Sequence, residues 1–282
     1  MSTDSSASKS ADGRIARRFA ALATSGRKGL ITFVTAGDPT VSATPVLMHA
    51  LVRGGADVIE LGVPFSDPMA DGEVIQRASE RALAHGTNLD DVLNCVAEFR
   101  QADRSTPVVL MGYLNPYEHM GAARFAARAA EVGVDGVLVV DLPPEEATDF
   151  NRALTSAALD QIFLVAPNSP ESRMHKVCEA ASGFVYFVSV KGVTGGKAAA
   201  LEEIAARIEL TRQFAGIPVG IGFGIRTPET AARAAAIADA VIIGSAIVEV
   251  IEQGGEMTAL EQKIESLVAD LRAAIDSQAD AA

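Results

Sequence analysis

Two of the three carboxylates in the stretch ELGVPFSDPMADG, which runs from Glu60 to Gly72, are placed to do chemistry: Glu60 and Asp71. Glu60 lies in the apolar run DVIEL, which starts at Asp57 and reads as a buried strand. Asp71 lies in a loop broken by Pro64, Asp67, Pro68 and Gly72. Side chains alternate along a strand, so Val58 and Glu60 point one way and Ile59 and Leu61 the other. An inward-facing glutamate at the C-terminal end of a strand is partly desolvated. Its pKa then rises, and it can both give and take a proton near neutral pH. The loop is able to turn Asp71 back over the same mouth. Plainer roles exist for both. Glu60 could be a strand-end glutamate paired with a base. Asp71 could N-cap the helical run that follows in DGEVIQRA. Asp67 reads as Asp-Pro turn chemistry.

Glycines form a second group. GIGFGIRTPE carries Gly220, Gly222 and Gly224, but Thr227 stands where a dinucleotide-binding fingerprint needs its last glycine. KGVTGGK lacks the spacing of a Walker A loop, and Ala198 follows Lys197. GFG and GSAIVEVIE instead follow two consecutive strand-like runs, and Gly244 and Ser245 open a short helix. Backbone N–H groups at such a place can hold a phosphate. Tight-turn glycines and a serine N-cap are the alternative. SVKGVTGGKAAA, from Ser189 to Ala200, is long and Gly-rich enough to close over a substrate, or simply to be a passive loop. Tyr113 and Asn115 in GYLNPYE, and Tyr186 further on, could line a pocket or serve packing and turns.

These residues need a scaffold, and the chain supplies a repeating one. Apolar runs recur as LITFV from Leu30, DVIEL from Asp57, PVVLM from Pro107 and DGVLVV from Asp135. QIFLVA from Gln161, FVYFVS from Phe184, PVGIGF from Pro218 and AVIIG from Ala240 complete the set. Most lack polar alternation, as strands covered on both faces should. Ala-rich helical stretches separate them, and GGADVIE, VGVDGVLV and AIADAVII repeat one helix-to-strand join. Strand–helix alternation implies a parallel sheet. Eight runs predict an α/β fold of the closed (β/α)8 or TIM barrel type rather than a doubly wound open sheet. In such a barrel the C-terminal strand ends form the catalytic face, and loops seven and eight often hold phosphate. The longest interval, between the second and third strands, should hold two helices. RIARRFAALATSG predicts an extra N-terminal helix with Ile15, Phe19 and Leu22 on one face and Gly26 near its end. Leu260, Ile264, Val268, Leu271 and Ile275 mark the last helix. The expected organisation is a tail over 1–12, one barrel domain over 13–276 and a tail over 277–282.

The 282 residues carry a net charge of -12, from 24 basic and 36 acidic side chains, which disfavours nucleic acid or an anionic membrane as partner. The Ser-rich start MSTDSSASKSADG has no apolar core of a secretory signal, and no apolar run is long enough to span a bilayer. A cytoplasmic location is expected. Cys95 and Cys178 form no CxxC, and the four histidines show no metal-ligand spacing.

Taken in order, FVTAGDP (Phe33 to Pro39), ELGVPFSDPMADG, YLNP, GVDGVLVVDLP, GVTG, GFGI and GSAIV resemble the alpha subunit of tryptophan synthase, from about Gly29 to Ile251. The resemblance implies retro-aldol cleavage of indole-3-glycerol phosphate to indole and glyceraldehyde 3-phosphate. It implies proton transfer by Glu60 and an indole N–H contact by Asp71. Phe33, Met111 and Tyr186 would surround the indole, with Tyr113 and Thr194 also at the substrate. Gly195, Gly224, Gly244 and Ser245 would cradle the phosphate. The chain itself would need no cofactor or metal. Its partner would be a beta subunit that carries pyridoxal phosphate, in an alpha2-beta2 complex, facing the loop from Pro64 to Asp71. Some members of the family have arginine where Val190 stands, and Lys191 is the nearest cation here. The contacts that support closure of the lid should therefore differ. Two other classes fit parts of the pattern: a non-catalytic activating subunit, and another phosphate-binding barrel such as a sugar-phosphate isomerase or epimerase.

Overall fold

The computed structural model describes residues 13–189, 198–222 and 224–277, with the backbone alone at 198–200. All eight predicted strands form: β1 (Gly29–Thr35), β2 (Val58–Gly62), β3 (Val108–Gly112), β4 (Gly136–Val139), β5 (Asp160–Val165), β6 (Val185–Val188), β7 (Val219–Gly222) and β8 (Ala240–Ile243). Each pairs in parallel with the next, and β8 closes on β1, so the sheet is a barrel in chain order. The open-sheet alternative is thereby excluded.

Helices α1 (Arg14–Thr24), α2 (Ala43–Arg53), α3 (Glu73–Ala84), α4 (Leu89–Ala102), α5 (Leu114–Met120) and α6 (Ala122–Val132) cover the first half. Helices α7 (Thr148–Ser156), α8 (Glu171–Ala180), α9 (Ala198–Ala215), α10 (Pro228–Ala235), α11 (Ser245–Glu252) and α12 (Met257–Asp276) cover the second. The β2–β3 interval holds two helices as expected. The β3–β4 interval also holds two, split at Gly121, whose φ of 87° a side chain would disfavour.

Strand alternation divides the core into two shells. Val58, Val109, Leu138, Ile162, Phe184 and Ile242 fill the barrel interior, whereas Ile59, Leu61, Leu110 and Phe163 pack outward against the helices. The N-terminal helix closes the barrel floor: Ile15, Phe19 and Leu22 join the inner shell, with Phe19 6.0 Å from Phe184 between ring centroids. The five predicted apolar residues of α12 are all buried.

The repeated small-residue–Asp join has a specific use at the floor. Asp57 Oδ2 accepts the N–H of Leu30 at 2.7 Å, Asp135 Oδ2 that of Val108 at 2.8 Å, and Asp239 Oδ2 that of Val219 at 2.9 Å. Each carboxylate thus pins the start of one strand to the start of the next. Arginines from the helices neutralise them. Asp57 pairs with Arg18 and Arg272, Asp135 with Arg14 and Arg100, and Asp239 with Arg212. Removing one partner of a buried pair strands the other's charge, at a cost of about 3–5 kcal/mol. Asp57→Ala should therefore lower stability by about that amount and the melting temperature by roughly 10 °C. A loss below about 1 kcal/mol in urea unfolding would reduce the aspartate pin to a surface-type pair.

Candidate active site

The C-terminal ends of the strands surround a cavity of about 510 Å³. The register places its central residues side by side: Phe33 on β1 opposes Glu60 on β2, and Glu60 opposes Val109 on β3. Met111, two residues further along β3, points into the same space, as do Leu164, Tyr186 and Ile242. The lining is therefore mainly apolar, and Glu60, Asp71 and Glu73 are its acidic members.

Glu60 is 1% exposed, and neither of its carboxyl oxygens has a hydrogen-bond partner among the described residues. Among the described residues no base pairs with it, against the strand-end ion-pair role. Burial alone pushes its pKa up to about 8, so the group holds a proton at neutral pH.

Asp71 arrives from the loop. The N-cap of α3 is Gly72, with no side-chain cap, so the N-cap role falls away and the carboxyl is left for the cavity. Burial raises its pKa to about 6 against a hydrogen bond from the Tyr113 side chain, which lowers it. Tyr113 stands apart from the large cavity and lines a small adjoining cleft with Phe33, Met111 and Asp71. Its hydroxyl also accepts the Ala70 N–H at 3.0 Å, and its ring stacks on Phe65 with centroids 5.3 Å apart. Tyr113 is therefore the strut of the Asp71 loop. Gln76 Nε2 donates to the Asp71 carbonyl at 2.8 Å and steadies the same turn from α3.

Two strand glycines shape the slot. A β-carbon at Gly62 would lie 2.5 Å from Cζ of Phe33, and one at Gly222 would overlap the Tyr186 hydroxyl. Gly222 is thus clearance for a ring rather than part of an anion cradle. The Tyr186 phenol is pushed well above its usual pKa, first by burial and then by the charges of Glu60 and Asp71, so its hydroxyl stays neutral.

The far side of the cavity has the expected glycine groups. Gly224, with a φ of +74°, follows β7. Gly244 is the N-cap of α11 and Ser245 its first residue, so the serine N-cap alternative does not hold. All three line the cavity, and the first N–H groups of a helix have no intrahelical partner, so the start of α11 can offer them to an anion there. An ion-pair chain fixes this helix against α3: Glu252 pairs with Arg77 and Arg81, and Arg81 also grips Asp38 through two 2.8 Å hydrogen bonds. Thr194, Gly195, Val190 and Lys191 lie outside the described residues. Among the described residues no cluster of three His, Cys, Asp or Glu is placed to hold a metal. Sequence reasoning did not single out Arg226, which lines the cavity beside Gly224 and Ile225.

The chain is similar to known proteins along nearly its whole length. The family model for the tryptophan synthase alpha chain matches residues 19–279. The tryptophan synthase alpha chain of Cupriavidus taiwanensis is 56% identical over 264 residues, covering 94% of this chain and 99% of that protein. That of Dechloromonas aromatica is 57% identical over 263 residues, covering 93% and 98%. A crystal structure of tryptophan synthase subunit alpha from Legionella pneumophila superposes with a TM-score of 0.86 at 44% identity, covering 94% of this chain and 99% of that one. A structure of Mycobacterium tuberculosis tryptophan synthase gives 0.83 at 37% identity, covering 93% and 98%. Agreement in sequence and in barrel over more than nine-tenths of the chain admits one conclusion: it belongs to the tryptophan synthase alpha chain family.

Proposed function

We propose that the cavity carries out the family's lyase reaction with Glu60 as proton shuttle and Asp71 as fixed negative charge. The reaction is retro-aldol cleavage of indole-3-glycerol phosphate to indole and glyceraldehyde 3-phosphate, a step of tryptophan biosynthesis. The single observation that carries the residue assignment is Glu60: a buried, unpartnered carboxyl beside an apolar slot, protonated at neutral pH.

The bond between indole C3 and the side-chain carbon cannot break while C3 is aromatic. Protonating C3 makes an indolenine cation that can accept the bonding electrons. The adjacent hydroxyl then loses its proton as the aldehyde forms, and the electrons return to the ring. Glu60 gives the first proton and its carboxylate takes the second, so it ends as it began. Asp71 accepts the indole N–H and opposes the positive charge that builds on the ring. Phe33, Met111 and Tyr186 hold the ring, and Gly224, Gly244 and Ser245 bind the phosphate, joined in this reading by Thr194 and Gly195 of the lid.

The chain uses no cofactor of its own; pyridoxal phosphate belongs to the beta subunit, its partner in the synthase. Met69, on the loop between β2 and α3, is 87% exposed and is the one large apolar side chain left bare among the described residues. That supports the Pro64–Asp71 loop as the face offered to the beta subunit. Among the described residues no helix is long and apolar enough to cross a membrane, and the reading places the enzyme in the cytoplasm.

The test is direct. The purified chain is mixed with indole-3-glycerol phosphate, with and without a beta subunit, and indole is quantified; a chain with no tryptophan adds little fluorescence background. Slow release that rises sharply with the partner is expected. Failure to release indole under either condition would overturn the assigned reaction.

A further inference from the structure

A chain of net charge -12 must receive a substrate whose phosphate is a dianion. The difficulty is sharper inside the cavity. Asp71 and Glu73 line it beside the protonated Glu60, and among the described residues Arg226 is the one cation that does. Backbone N–H groups at a helix start supply only about half an elementary charge. A full positive charge at this wall is therefore the largest single favourable contribution that described residues offer to a dianion.

The surroundings of Arg226 suit it to that use. It lies two residues after Gly224, and its Nη2 donates to Glu249 Oε1 at 2.7 Å. Glu249 stands one helical turn after Ser245 on α11. The guanidinium thus spans the two elements assigned to the phosphate. The pair is weakly held, with side chains 48% and 37% exposed. The backbone is fixed independently, since the Arg226 N–H donates to Thr230 Oγ1 at 3.2 Å, and the side chain can pivot about it. A guanidinium exchanges a single exposed carboxylate contact for a forked one to phosphate with a gain in both charge and geometry.

We infer that Arg226 recognises the substrate's phosphate, and that Glu249 is its resting partner, displaced when the dianion arrives. The inference rests on the proposed reaction for the identity of the substrate, but its anion-binding content does not.

The experiment is titration calorimetry of the purified chain with glycerol 3-phosphate at low ionic strength, with glycerol as the phosphate-free control. Arg226→Gln should raise the dissociation constant about tenfold, and Arg226→Lys should recover part of the loss. Glu249→Gln should tighten binding about threefold, because it removes the competitor. The gap between wild type and Arg226→Gln should narrow in high salt. A pair that merely fastens the loop to α11 would give the other pattern, with both variants weakening binding together. That result, or an unchanged constant in Arg226→Gln of native melting temperature, would overturn the inference. Wild-type protein that binds glycerol 3-phosphate but releases no indole would sink the proposed reaction and leave the role of Arg226 standing.

Discussion

Glu60→Gln should lower kcat for indole release by about 10²–10⁴-fold, the usual cost of losing a general acid–base group. The amide keeps the size of the carboxyl and can neither give nor take the proton. Stability separates this from a folding defect. The Glu60 pKa rises from 4.5 to about 8 on burial. Between those values the unfolded chain has released a proton that the folded chain still holds. Wild-type stability therefore falls as pH rises from about 4.5 to about 8 and then levels, once the folded state ionises as well. Glutamine carries no such cost. Unfolding measured at pH 5 and again near pH 8 should show Glu60→Gln gaining on the wild type at the higher pH. A variant that keeps turnover within tenfold of wild type would end the proton-shuttle assignment.

Much of this site is legible in the sequence because its signals are local. Eight Val/Ile-rich runs separated by Ala-rich stretches leave few alternatives to a closed parallel barrel. A glutamate inside an apolar run is conspicuous, and two-residue alternation already sends it inward. The less legible features depend on pairs far apart in the chain. Asp71 cannot be told from an N-cap by its neighbours, since DGE fits both roles; only the backbone shows that Gly72 is the N-cap. Tyr113 reads as a pocket residue, yet its hydroxyl and ring brace the Asp71 loop from a distant strand end, a relation with no local signature. Gly222 sits within a phosphate-like glycine group, but its missing side chain makes room for the Tyr186 hydroxyl on the neighbouring strand. Pairing between strands creates that constraint. Arg226 escapes notice because an arginine in a loop looks like ordinary surface, and only the closed barrel places it on a cavity that is mainly apolar and has carboxyls from Glu60, Asp71 and Glu73.

The second large effect belongs to Asp71. Its carboxyl must be ionised to oppose the cationic ring, and Glu60 must start protonated to create that ring. Their pKa values of about 6 and about 8 set an order in which both conditions hold between the two. For the free enzyme, kcat/KM should then follow a bell, rising through pH about 6 and falling through about 8. Asp71→Asn retains a hydrogen-bond acceptor for the indole N–H but removes the charge. Since the charge matters most when the ring is cationic, the loss should fall on kcat, by about 10²–10³-fold, with KM changed little. The acid limb of the profile should vanish while the alkaline limb remains. The pattern is diagnostic: a role confined to binding would raise KM and preserve kcat. A role confined to bracing the loop through Tyr113 would be reproduced by Tyr113→Phe, which leaves the charge in place. If Asp71→Asn keeps kcat within threefold of wild type, or keeps the acid limb, the charge at Asp71 is not what stabilises the intermediate.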